Sequence, residues 1–197
     1  MEDAVEQLDR LERAVTACTV CDELVACRER AVPGRGHPHC TVMVVSLQPD
    51  VTDEHEGRPG GSSVAAGLAE YMPALETGAD NVYVTTLLKC VARTQCALRD
   101  PRQTELDACF HFLSKELTIT TPHYLLAAGE ETARYLLRRL FKDLPYKAGD
   151  SLELRVFDNP AFRIVPVATP QELAARDPKA RKDYADKLRA LSQVMGL

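Results

Sequence analysis

Asn81-Val82-Tyr83-Val84-Thr85-Thr86-Leu87-Leu88-Lys89-Cys90 is the stretch that decides the fold. Its first eight residues are mostly apolar or β-branched, the pattern of a strand buried on both faces. The run Cys40 to Ser46 (Cys-Thr-Val-Met-Val-Val-Ser) reads the same way, as does Tyr124 to Ala128, closed by Gly129. Two further β-like runs are Leu152 to Phe157 and Phe162 to Val167. Between and around them lie helical segments. Asp3 to Val15 carries Val5, Leu8, Leu11 and Val15 at helical spacing, and Val64 to Leu75 follows Ser62 or Ser63 as N-cap. Glu105 to Leu117, Glu130 to Phe141 and Arg181 to Val194 complete the set, the last with Tyr184, Leu188 and Leu191 on one side. Strands alternating with helices predict an α/β fold, a three-layer α/β/α arrangement around a central, mostly parallel sheet. In such sheets ligands sit at the carboxyl ends of strands. Here those ends are Gln48-Pro49-Asp50, Thr86 to Cys90, Gly129 and Thr169-Pro170.

The chain has 197 residues, 45% of them hydrophobic, enough for one sizeable core. A single domain over 1–197 is expected, with residues 1–30 packed onto it. There is no apolar leader and no run long enough to cross a bilayer, and the seven cysteines are an odd number for a disulfide framework. These features predict a reduced, soluble, cytoplasmic protein. A net charge of −5 gives no bulk attraction to nucleic acid, so any DNA contact has to come from a local basic patch. Two are available: Arg93, Arg99 and Arg102 in the loop Ala92 to Gln103, and the helical stripe Arg134, Arg138, Arg139 and Lys142. An ordinary solvated face accounts for either equally well.

Cys18 and Cys21 form a two-residue-spaced pair that supplies half a coordination shell. Cys90 and Cys109 are the best candidates for the other half, and four thiolates suit either zinc or an iron–sulfur cluster. Cys27, Cys40 and Cys96 have no partner in this pattern and read as small buried or loop thiols. His37 and His39, around Pro38, read as surface.

Taken together, these landmarks resemble a family 4 uracil-DNA glycosylase, the iron–sulfur type, over nearly the whole chain. That family has an N-terminal Cys-x-x-Cys and a strand ending in Gly-Glu-Gly/Ala-Pro-Gly, then Gly-Arg-Pro-Phe. A strand ending in Asn-Ile-Val-Lys-Cys, a fourth cysteine opening a helix, and a His-Pro-Ala loop complete its pattern. Ser46-Leu47-Gln48-Pro49-Asp50, Gly57-Arg58-Pro59-Gly60, the strand to Lys89-Cys90, and Cys109 before Phe112-Leu113 match in order. The resemblance implies that Cys18, Cys21, Cys90 and Cys109 ligate a [4Fe–4S] cluster, with zinc as the alternative.

The same alignment exposes where the pattern departs. The resemblance makes Leu47, Gln48, Pro49, Gly60, Thr86 and Thr169 the base-pocket positions. Leu47 stands where the family has an acid, Gly60 where it has a stacking phenylalanine, Thr86 where an asparagine reads the uracil edge, and Thr169 where a histidine steadies the leaving anion. Gly61-Ser62-Ser63 also lacks the aspartate that related family 5 enzymes use there. No catalytic residue is evident. Asp50 and Asp53 are the candidates, with Gln48, Glu54 and His55 beside them, in a stretch that reads as a solvated acidic loop. The expectation is a divergent member of the uracil-DNA glycosylase superfamily, impaired in base excision, that binds DNA or a protein partner in DNA repair. The rival expectation is an active glycosylase with substituted catalytic residues.

Overall fold

The computed structural model describes residues 3–59 and 81–195. The expected helix Val64 to Leu75 and the position Gly60 lie outside the described residues. Six strands form one sheet, in the order β1 (Arg35–Gly36), β3 (Val82–Thr86), β2 (Val42–Ser46), β6 (Tyr124–Ala128), β8 (Arg163–Val167) and β7 (Phe157–Asp158). The four inner strands are parallel, and the two short edge strands run antiparallel to their neighbours. The expected α/β/α architecture with a mostly parallel sheet is therefore the one observed.

Both faces of the sheet are covered, which is why its inner strands read as near-continuous apolar runs rather than alternating ones. Met43, Val45, Tyr83 and Leu125 enter one buried cluster, while Val42, Val44, Leu126 and Val165 enter the other. The first cluster also holds Leu11 and Val15 of α1 (Ala4–Thr16) and Leu106, Phe112 and Leu113 of α4 (Gln103–Thr120). The second takes Tyr184 and Leu188 of α7 (Pro178–Met195). Register brings the strand ends into line: Ser46 lies opposite Thr86, and Ala128 opposite Val167. A single rim follows from this, on which Leu47, Leu87, Gly129 and Ala168 are neighbours.

Several expectations need correction. The acidic loop after Pro49 is a helix, α3 (Val51–Glu56), started by a capping box in which Asp50 and Asp53 each accept the other's backbone N–H. Asp53 and Glu54 are therefore buried, not solvated. A short helix, α2 (Asp22–Cys27), follows Cys21, and α6 (Pro170–Ala174) starts at the Thr169 cap. The expected strand Leu152 to Phe157 is reduced to Phe157–Asp158, because Leu154 adopts a φ of 58° and breaks the extended run.

The loop after Cys90 contains a hairpin, β4 (Arg93–Thr94) and β5 (Ala97–Leu98), turned by Gln95 and Cys96 with φ of 49° and 63°. Two consecutive positive φ values match the twist of a tight hairpin but disfavour non-glycine side chains. What holds the turn is a disulfide between Cys27 and Cys96, which overturns the expectation that both are lone thiols. It spans 69 residues of sequence. Closing a loop of that size removes about 4 kcal/mol of unfolded-chain entropy. Cys27→Ser is accordingly expected to lower the urea-unfolding free energy by about 2–4 kcal/mol. An unchanged midpoint under both oxidising and reducing conditions would remove the tether from the account of stability.

Candidate functional site

Cys18 lies just past the end of α1, Cys21 caps α2, Cys90 follows β3, and Cys109 sits on the first half of α4. Three separate stretches of chain thus deliver four sulfurs, and all four line one cavity walled by Val15, Leu88 and Phe112. Two sulfurs receive N–H donors. Arg28 Nη1 donates to Cys90 Sγ at 3.2 Å, and the Lys89 amide donates to Cys109 Sγ at 3.3 Å. The second Arg28 nitrogen, Nη2, donates to the Cys18 carbonyl, tying the first cysteine pair to the third ligand candidate. Burial pushes the Cys109 thiol up to about 12, and it also raises Cys21 and Cys90. The Lys89 charge opposes the shift at Cys109, and the Arg28 hydrogen bond opposes it at Cys90.

Among the described residues, no three Cys, His, Asp or Glu side chains are grouped to hold a single metal ion. The four sulfurs' soft donor chemistry, apolar walls and N–H donors suit a thiolate-bound centre.

Beneath this cavity runs a buried ion pair. Lys89 Nζ lies 2.9 Å from both carboxylate oxygens of Glu116, and the Thr85 hydroxyl donates to Glu116 at 2.8 Å while accepting from Lys89. Both charged side chains are at most 2% exposed.

A second cavity, of about 490 Å³, opens at the carboxyl rim of the sheet. Residues 46–51 line one side and Ala128 to Thr132 another, with Thr169 to Glu172, Val91 and Leu98 completing it. Leu47, Gln48, Pro49 and Thr169 are thus brought together, as is Asp50. Gly129 makes the approach possible: at φ 88°, a Cβ there would stand 3.0 Å from Thr169 Cγ2. Gln48 is pinned by its Oε1, which accepts the Ala92 amide at 2.8 Å. Thr169 is occupied as a cap, its hydroxyl accepting the Glu172 amide at 3.1 Å. Thr86 is not part of the lining: it is 1% exposed, and its hydroxyl donates to the Leu88 carbonyl at 2.7 Å. Asp53 is likewise committed to its capping box rather than to the cavity.

The basic loop is not the free patch that its charges suggest. Arg93 pairs with buried Glu54, Arg99 with Glu105 and Glu23, and Arg102 with Glu23. The Arg99 guanidinium holds the Glu105 carboxyl below its ordinary value. These pairs fasten the hairpin to α2, α3 and α4. On α5 (Glu130–Leu140), Arg134 pairs with Glu130 and Arg139 lies over the Phe110 ring. Arg138 and Lys142 remain exposed there. Sequence inspection missed Arg28, whose nearness to two candidate ligands depends on α2 returning the chain to Cys90. It also missed Ser46, a residue that lines the second cavity and whose buried Oγ is, among the described residues, the buried side-chain polar atom without a hydrogen-bond partner.

Comparison with known proteins agrees with this geometry. The chain is similar to a Type-4 uracil-DNA glycosylase of Archaeoglobus fulgidus, 23% identical over 196 residues, covering 98% of this chain and 95% of that one. It is also similar to the Type-4 enzyme of Sulfurisphaera tokodaii, at 27% over 137 residues, which are 69% of this chain and 60% of that protein. A third, from Pyrobaculum aerophilum, is 28% identical over 130 residues, 66% of this chain and 64% of that one. The matched stretches span about three-fifths of the Sulfurisphaera and Pyrobaculum proteins but almost the whole Archaeoglobus one. A family model described as "Uracil DNA glycosylase superfamily" matches residues 33–192, which take in the whole sheet, both rims of the second cavity and two of the four clustered cysteines; this chain belongs to the uracil DNA glycosylase superfamily.

Proposed function

We propose that this protein is a divergent, family 4-like member that acts in DNA repair by holding a nucleobase in the strand-end cavity, with uracil excision lost. The observation that carries the proposal is the content of that cavity. It keeps its place at the carboxyl rim, yet it presents Leu47 and Thr169 where an acid and an anion stabiliser are needed. Each such loss costs about a hundred- to thousand-fold in rate. In this reading Cys18, Cys21, Cys90 and Cys109 hold a [4Fe–4S] cluster as a structural staple. Four cysteines lining one cavity suit a cluster or zinc alike, and the resemblance to the iron–sulfur type favours the cluster.

Turnover on single-stranded and duplex oligonucleotides containing uracil tests the loss of excision. The expected rate is at least ten-thousandfold below that of an intact relative, from two missing groups at about a hundredfold each. Product formation at enzyme-like rates that Asp50→Ala abolishes would support the second reading instead. That reading has one specific observation in its favour: Asp50, alone of the acidic candidates upstream of Gly57, lines the cavity.

A further inference from the structure

We infer that the strand-end cavity takes a positively charged nucleobase, an N-alkylated purine, rather than uracil; this rests on the proposal that the cavity is a nucleobase socket. At about 490 Å³ it falls within the ~300–1,000 Å³ range of small-molecule sites and leaves room for a bicyclic ring. Its apolar walls are Leu47, Pro49, Val51, Val91 and Leu98. Every charged side chain in the lining, among the described residues, is acidic: Asp50, Glu130, Glu131 and Glu172. One of these, Glu130, is paired with Arg134, whose guanidinium is not in the lining.

The N-terminus of α5 also opens here, and a helix start carries about half a positive charge. Its first turn places Glu131, together with the Arg134-paired Glu130, over that half charge, and Asp50 and Glu172 add their carboxylates from the other walls. The field in the cavity is therefore negative. A uracil anion or a phosphate would meet repulsion, whereas a purine methylated at N7 carries a positive charge delocalised over its ring.

Ser46 supplies an independent reason to place a polar ligand here. Its residue is 8% exposed, its Oγ has no hydrogen-bond partner, and it lines the same cavity. A buried hydroxyl without a partner is left desolvated and unpaired, a cost that a donor on the ligand removes. The ring and exocyclic N–H groups of a methylated guanine are such donors, and protein carboxylates at the rim accept the others.

The probes are 7-methylguanosine, guanosine and uridine, titrated calorimetrically into the purified protein. The 7-methylguanosine cation is expected to bind at least about tenfold more tightly than guanosine, as two or three carboxylates several ångströms away would produce. Glu131→Gln, an exposed change, should leave thermal melting unaltered and cut that preference by about fivefold, the effect of removing one charge near 4 Å in water. Ser46→Ala should weaken both purine nucleosides equally, because the hydroxyl reads shape and donors rather than charge. Equal affinity for 7-methylguanosine and guanosine overturns the inference while leaving the socket in place. Failure of all three nucleosides to bind overturns the socket proposal itself.

Discussion

Cys109→Ser is expected to yield protein that lacks iron and visible colour and melts at least 10 °C lower than the parent. Cys109 is 8% exposed at the wall of a cavity shared with Cys18, Cys21 and Cys90. In the absence of a centre, burial keeps this thiol protonated above neutrality, so a metal bound there would be what deprotonates it. Binding energy at a site absent from the unfolded chain is folding energy. Losing even about 5 kcal/mol of it shifts a domain of this size by roughly 10–20 °C. Iron and sulfide content, together with thermal melting of anaerobically purified protein, measure the effect. Cys40→Ser is the control: Cys40 is equally buried, its thiol is pushed up to about 11 mainly by burial, and it lies outside the cavity. Full iron content in Cys109→Ser would exclude that sulfur as a ligand, and zinc in the parent would replace the cluster.

The second large effect is expected at the buried ion pair. Lys89→Met leaves the Glu116 carboxylate without its counter-charge at 1% exposure, with the Thr85 and Tyr83 hydroxyls to bond it. Breaking a buried pair on one side costs about 3–5 kcal/mol. Replacing both, as Lys89→Met with Glu116→Leu, removes the uncompensated charge and should recover most of that loss. Urea unfolding of the two single variants and the double variant gives the coupling directly. Additive losses would mean that Lys89 and Glu116 act independently. Because Lys89 sits between β3 and Cys90, the single variant is also expected to disturb the cysteine cavity, whereas the double variant should not.

Much of this architecture was legible from residue pattern. The strands Val42–Ser46, Val82–Thr86 and Tyr124–Ala128 announced themselves because a doubly covered parallel sheet leaves no room for polar alternation. The convergence of Leu47, Gln48, Pro49 and Thr169 followed from strand ends sharing one rim. Helix α3 was missed because its acidic residues suggest solvent, although Asp50 and Asp53 at three-residue spacing are themselves a capping signal. The strand expected over Leu152 to Phe157 failed for a local reason, a left-handed Leu154 that apolar content does not disclose. Pairing was hidden altogether. Charge counts report Arg93, Arg99 and Arg102 but not Glu54, Glu105 and Glu23, which come to them only through the folded hairpin. The partner of Cys27 stands 69 positions away, beyond any local rule.

That crosslink has a consequence for how the thiol site is put together. Cys27 lies six positions after Cys21, and Cys96 lies six positions after Cys90, so the bond joins two arms of equal length, each carrying one of the gathered sulfurs near its far end. Once it closes, the search that would bring Cys21 to Cys90 shrinks from a long chain excursion to a short one. The crosslink works as a jig: it holds the arms that carry two of the four cysteines in approximate position, so that a centre bound there would find half of its candidate donors already gathered.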